Sequence, residues 1–113
     1  MGFNSKMLGR NVRTIAGSTL TTSFQNVGAV TTIVGYKLSI VNATTTDVLV
    51  SDGSSADAWY VPSGSTIAVG EGLSSFAQQA DRQASTQKGI QFQAKLNSGA
   101  AGTGTLVIII EGN

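Results

Sequence analysis

The chain has 113 residues, a formal net charge of +1 and only 12% charged residues, against 41% hydrophobic and 6% aromatic. A chain of that length is one domain's worth, able to bury roughly 60 to 70% of its unfolded surface in a single core. It has no cysteine and no histidine, which excludes disulfide frameworks, Ser-His-Asp and Cys-His relays and the usual zinc sites.

No apolar run approaches the ~20 residues of a membrane span, and residues 1–13 are polar and basic, unlike the apolar centre of a signal peptide. The chain is therefore expected to be made in a cytoplasm and used without export. Polarity comes mainly from thirteen Ser and thirteen Thr, and with fourteen Gly and one Pro they describe strands joined by small-residue turns.

Lys6, Arg10 and Arg13 fall in the first thirteen residues without an acid, while the rest of the chain carries four bases and six acids. This asymmetry predicts a basic N-terminal arm over residues 1–15, ahead of a sandwich domain over residues 16–113. Within the arm, Phe3, Met7 and Leu8 favour docking onto protein over pure charge contact, and residues 11–15 are a candidate short strand.

Strand alternation begins at Thr19, with Leu20, Thr22 and Phe24 set against Thr21, Ser23 and Gln25. The clearest strand spans residues 32–41. Thr32, Val34, Tyr36, Leu38 and Ile40 form one face, read as the apolar one, whereas Ile33, Gly35, Lys37, Ser39 and Val41 form a mixed one expected near a subunit contact. Residues 42–46 read as a turn and residues 47–52 as a returning strand, together a β-hairpin.

Residues 58–61 form the next strand, and Pro62-Ser63-Gly64 turns the chain, since Pro presets one φ angle and Gly permits a positive one. Residues 65–69 are a further strand. Residues 77–88, AQQADRQASTQK, follow as a polar helix or long loop. With Leu73, Phe76, Arg82 and Lys88, the region over residues 70–89 is a candidate contact surface. Alternation returns over residues 90–96, residues 97–104 read as a Gly-rich hairpin turn, and residues 105–111 form a Val/Ile strand. Such a strand is buried on both faces or covered by a neighbouring subunit. About seven or eight short strands predict an all-β, antiparallel β-sandwich, with a jelly roll as one form of it.

Six carboxylates remain as candidate chemistry. Asp47, Asp52 and Asp57 bracket a strand and a Gly-Ser loop, and Glu71 and Glu111 sit beside Gly at strand ends, all ordinary turn or terminal positions. Residues 52–57 lack the alternating acidic ligands of a calcium loop, and the glycines of residues 99–104 precede a strand, with no helix N-terminus to hold an anion. Asn42-Ala43-Thr44 matches a glycosylation acceptor, which carries weight only in an exported chain. No catalytic residue, cofactor or metal is expected. Trp59-Tyr60 is read as an inward core Trp beside an outward Tyr, the alternative being a carbohydrate-binding β-sandwich module that stacks sugars on both rings.

The succession of residues 23–27, 33–41, 59–66 (WYVPSGST), 89–96 and 104–110 resembles small β-sandwich virion accessory proteins of tailed bacteriophages. These decorate or cement capsids, or complete tails, collars and fibres. The resemblance runs from about residue 18 onward. It implies a non-enzymatic virion structural protein, a capsid decoration or cement subunit in first place and a tail, collar or fibre component in second. It further implies a homo-oligomer, with a trimer favoured, bound to the major capsid protein; the net charge of +1 separately predicts no membrane partner and no direct nucleic-acid contact. Phe3, Lys6, Met7, Leu8, Arg10, Arg13, Leu73, Phe76, Arg82 and Lys88 are the expected partner-binding residues.

Overall fold

Period-two alternation builds the long elements of this chain, and the connections between them decide the architecture. In the computed structural model, residues 9–33, 35–53, 58–70 and 89–112 are described. Among them lie β1 (Gly9–Ala16), β2 (Gln25–Asn26), β3 (Gly35–Thr44), β4 (Val48–Ser51), β5 (Trp59–Val61), β6 (Thr66–Gly70), β7 (Gln93–Leu96) and β8 (Gly104–Gly112). A single 3-10 turn, Gly17–Thr19, follows β1.

The strands form two four-stranded antiparallel sheets, ordered β1-β8-β3-β6 and β2-β7-β4-β5. The pairs β1–β8, β2–β7, β3–β6 and β4–β5 set the first half of the chain against the second in reverse order. Rolling that ribbon until β8 meets β3 and β7 meets β4 closes both sheets. This order is the eight-stranded jelly roll, the expected sandwich in its most specific form.

Among the described strands, only β4 and β5 are consecutive members of one sheet; each other consecutive pair is divided between the two sheets. Two expected hairpins are therefore corrected. Residues 42–46 do not fold β3 back onto β4, because Asn42, Ala43 and Thr44 continue the β3 ladder against Leu106, Thr105 and Gly104. The chain then crosses to the other sheet. Residues 97–104 make the same crossing between β7 and β8. A connection of about five residues can reverse a strand within a sheet or span the ~10 Å to the facing one, so its length does not discriminate.

Two boundaries also differ from expectation. The sandwich begins at Gly9, since β1 pairs with β8 over its whole length from Gly9↔Gly112 to Ala16↔Thr105, so residues 9–15 are sheet and not arm. The strand expected from Thr19 shortens to Gln25–Asn26. Thr19 Oγ1 donates to the Ala16 carbonyl at 2.7 Å, and Thr21 Oγ1 accepts from Ser23 N–H at 3.1 Å. These local side-chain bonds compete with a ladder.

Leu38 and Ile40 of β3 and Leu106, Ile108 and Ile110 of β8 bury against Val48, Val50, Val61, Ala94 and Leu96 of the other sheet. Leu20, Val27 and Phe92 close the ends of this core. Gly104 opens β8 at φ 89°, where a side chain would run into the Ala43 carbonyl. Gly64 supplies the positive φ of 78° that the Pro62-Ser63-Gly64 turn requires.

Alternation in β8 makes a direct prediction. Ile108→Ala, on the core face, should lower unfolding free energy by about 2–5 kcal/mol, whereas Val107→Ala, on the opposite face, should cost about 1 kcal/mol or less. Urea denaturation of the two variants separates them, and equal losses would contradict the assigned faces.

Candidate interaction surface

The outward face of the β1-β8-β3-β6 sheet is set by register. Its four rows run Arg10–Glu111–Lys37–Gly70, Val12–Ile109–Ser39–Ala68, Thr14–Val107–Val41–Thr66 and Ala16–Thr105–Ala43. The first row is charged: Lys37 Nζ lies 3.8 Å from Glu111 Oε1, and Arg10 is in register with Glu111 on the other side. The remaining rows hold only Val, Ile, Ala, Ser and Thr, an uncharged surface. Val12 is 45% exposed, and Val41, Val107 and Ile109 are half-buried among their cross-strand neighbours.

Of the mixed face expected over residues 32–41, Lys37, Ser39 and Val41 lie on the outer face of β3, whereas Ile33 precedes β3 and packs against the core, because the ladder is irregular between Gly35 and Lys37. The sequence did not identify Val12, Val107, Ile109 and Ala68 as companions on that outer face. The alternation within residues 105–111 carried part of that signal, but the strand pairing that assembles the patch did not.

The outward face of the other sheet is more polar. Lys95 Nζ sits 4.8 Å from the Phe24 ring centroid, a cation–π contact, and Gln93 Nε2 donates to Asn26 Oδ1 at 3.1 Å. Trp59 points inward against the core and Tyr60 points outward, 50% exposed. The two rings lie on opposite faces of β5, so they cannot form one sugar-stacking platform.

Tyr60 instead belongs to a corner. Its hydroxyl donates to Asp47 Oδ2 at 2.9 Å, and Ser63 N–H donates to Asp47 Oδ1 at 2.9 Å. Ser63 backbone donation first, and the Tyr60 hydroxyl second, hold the Asp47 carboxyl below its usual range; the same bond pushes the Tyr60 phenol up. Beneath them Asn42 is fully buried. Its amide nitrogen donates to the Thr46 and Val61 carbonyls at 2.9 and 2.8 Å, and its oxygen accepts from Thr44 N–H at 3.0 Å and from the Thr44 hydroxyl. An amide so engaged cannot carry a glycan in the folded chain, so the Asn42-Ala43-Thr44 acceptor match is structural.

Arg13, expected to meet a partner, is an internal clamp. Its Nε donates to the Ala29 carbonyl at 2.8 Å and its terminal nitrogens to the Val30 and Val12 carbonyls at 3.0 and 3.1 Å. Asn11 acts beside it, accepting from Thr32 N–H at 2.9 Å. Thr31 N–H in turn donates to the Ile90 carbonyl at 2.9 Å, so residues 29–32 strap β1 to the segment that enters β7. Arg10 is exposed, on the charged row. Phe3, Lys6, Met7, Leu8, Leu73, Phe76, Arg82 and Lys88 lie outside the described residues, as does Asp57.

Among the described residues no group of three or more acidic side chains could hold a metal ion. Asp52 borders an open depression of about 260 Å³ with Gly53, Gly89, Ile90 and Gln91, and among these described lining residues it is the one carboxylate.

Two outcomes follow. Arg13→Ala should lower stability by about 1–3 kcal/mol in urea denaturation, because it strands the carbonyls of the strap, while Arg10→Ala should change it by less than about 0.5 kcal/mol. The depressed Asp47 carboxyl contributes stability that is complete above its unfolded pKa near 3.8 and is lost as pH falls through the folded value. Asp47→Asn should therefore reduce stability at neutral pH and flatten the acid decline of the unfolding midpoint below about pH 4; an unchanged acid limb would contradict the bond geometry.

Comparison of the chain with protein-family models, with curated proteins and with solved structures finds no match.

Proposed function

We propose that this chain is a non-enzymatic virion structural protein, a decoration or cement subunit on the head of a tailed bacteriophage, assembled in the host cytoplasm. The observation that carries the reading is the outer face of the β1-β8-β3-β6 sheet, three of whose four rows are uncharged. In a chain with so little charge, a contiguous β-branched surface of this kind is characteristic of proteins that work assembled. The jelly-roll order supports it by analogy, since viral capsid domains use the same solution, although lectins and cupins do too. Among the described residues, Asp47 binds a turn and Glu111 pairs with Lys37 across a sheet, both structural uses of a carboxylate.

Contact with the major capsid protein is assigned to the basic segment that precedes β1. Because β1 starts at Gly9 and takes Arg10 and Arg13 into the sheet, the residues of that segment that remain for the contact are the apolar Phe3, Met7 and Leu8 with the single base Lys6. The purified chain, mixed separately with accessory-free heads and with tails of the phage that encodes it, should co-sediment with heads. Deleting residues 1–8 should reduce attachment at least about tenfold while leaving the unfolding midpoint unchanged. Undiminished attachment would remove the arm's role, binding to tails alone would move the protein to the tail, and binding to neither would overturn the virion reading.

A further inference from the structure

We infer that the outward face of the β1-β8-β3-β6 sheet binds a second copy of this chain, face to face, about a two-fold axis that runs parallel to the strands between β8 and β3. This deepens the reading of the chain as an assembled subunit. It rests on the face itself and stands whether the particle contact is made with a head or a tail.

The charged row selects the axis. Rotation about an axis along the strands keeps every row at its own level and reverses the strand order, so β8 of one copy lies over β3 of the other. Glu111 then faces the second copy's Lys37, and Lys37 faces its Glu111. Arg10 faces Gly70, where there is no side chain to oppose it. The adjacent Glu111 and Lys37 are therefore complementary to their own copies only in this orientation, and Arg10 meets no like charge. An axis across the strands would instead lay the row over Ala16, Thr105 and Ala43 and give its charges no partner in the second copy.

Size follows the same axis. Ile109 would pack over the second copy's Ser39, and Val12 over its Ala68, so each large side chain meets a small one. Thr14 and Val107 would meet Thr66 and Val41, each pair matched in bulk. Flat β-branched faces pack in this way at ~10 Å, strands nearly aligned. Four strands ~4.8 Å apart and about seven residues long offer on the order of 450 Å² per copy. A pair then buries about 900 Å², at the low end for specific association, so the dimer should be weak in solution and reinforced when further contacts are added on a particle.

The test is sedimentation velocity of the full chain from about 10 µM to 1 mM in low-salt buffer. The native chain should pass from monomer to dimer. Ser39→Arg, which sets a charged side chain opposite Ile109, should stay monomeric at every concentration with an unchanged circular dichroism spectrum. Lys37→Glu should weaken the dimer at least about tenfold, and adding Glu111→Lys should restore it. Because the chain has no cysteine, a mixture of Ser39→Cys and Ile109→Cys chains should also oxidise to a mixed disulfide dimer. A native chain that stays monomeric to 1 mM, a dimer indifferent to Ser39→Arg, or a charge swap without rescue would overturn the proposal. Head binding by a chain that never dimerises would sink this inference alone, whereas a dimer that binds no particle would sink the virion reading alone.

Discussion

The ladder between β3 and β8 is the constraint on which the other elements depend. It joins the middle strands of one sheet from Lys37↔Glu111 to Thr44↔Gly104, with a bulge near Gly35. Because side chains alternate with a period of two, a slip of one residue would carry Ile108 and Ile110 to the outer face and drive Glu111 into the core. Burying that carboxylate without a matched partner would cost several kcal/mol. The Lys37–Glu111 pair is exposed, with side chains 56% and 38% accessible, and contributes little energy by itself. Its value is that it can form only in the correct register.

The other end of the same ladder is fixed by a buried amide. Asn42 sits on the core face of β3, where alternation calls for an apolar residue, and links β3 to Thr46 in the corner and to Val61 of the opposite sheet. Every hydrogen-bonding site on that amide is occupied, so the polar group is not penalised for its burial. An apolar residue of similar volume would leave the Val61 and Thr46 carbonyls to find other donors. Asp47 extends the network to the surface by holding Ser63 N–H and the Tyr60 hydroxyl, so that the Pro62-Ser63-Gly64 turn docks on the corner instead of projecting from it. A chain that must cross between sheets at this point thereby has one way of doing so.

What the sequence disclosed follows from the range of the interactions involved. Alternation is local, and it correctly separated Leu38 and Ile40 from Lys37, Ser39 and Val41, and Trp59 from Tyr60. The positive φ of Gly64 was legible for the same reason. Connectivity was not, because a short polar linker looks alike whether it turns a hairpin or crosses to the facing sheet, and residues 42–46 and 97–104 were both misread on that account. The charge of Arg13 suggested an outside partner. Its true partners, the carbonyls of Ala29 and Val30, carry no side-chain signature and lie sixteen and seventeen residues away. The outer patch was half visible: Val41 was named, but Val12, Val107 and Ile109 join it only through pairings that bring together the two ends of the chain.

The same clamp bears on how the chain can associate. β1 is an edge strand eight residues long, and a bare edge of that length invites open-ended pairing with other chains. Here Asn11 Nδ2 donates to the Arg10 carbonyl at 3.2 Å and an Arg13 nitrogen to the Val12 carbonyl at 3.1 Å, while the strap of residues 29–32 lies against both side chains. The other sheet ends in β2 and β5, with two and three residues, too short to template a partner strand. Among the described residues, the longest edge is engaged from within, the edges of the second sheet are reduced and β6 offers an edge of five residues, so the face of β1-β8-β3-β6 is the broad surface that remains. A face that repeats itself through a two-fold closes after two copies, whereas an edge-to-edge contact would continue into a fibre.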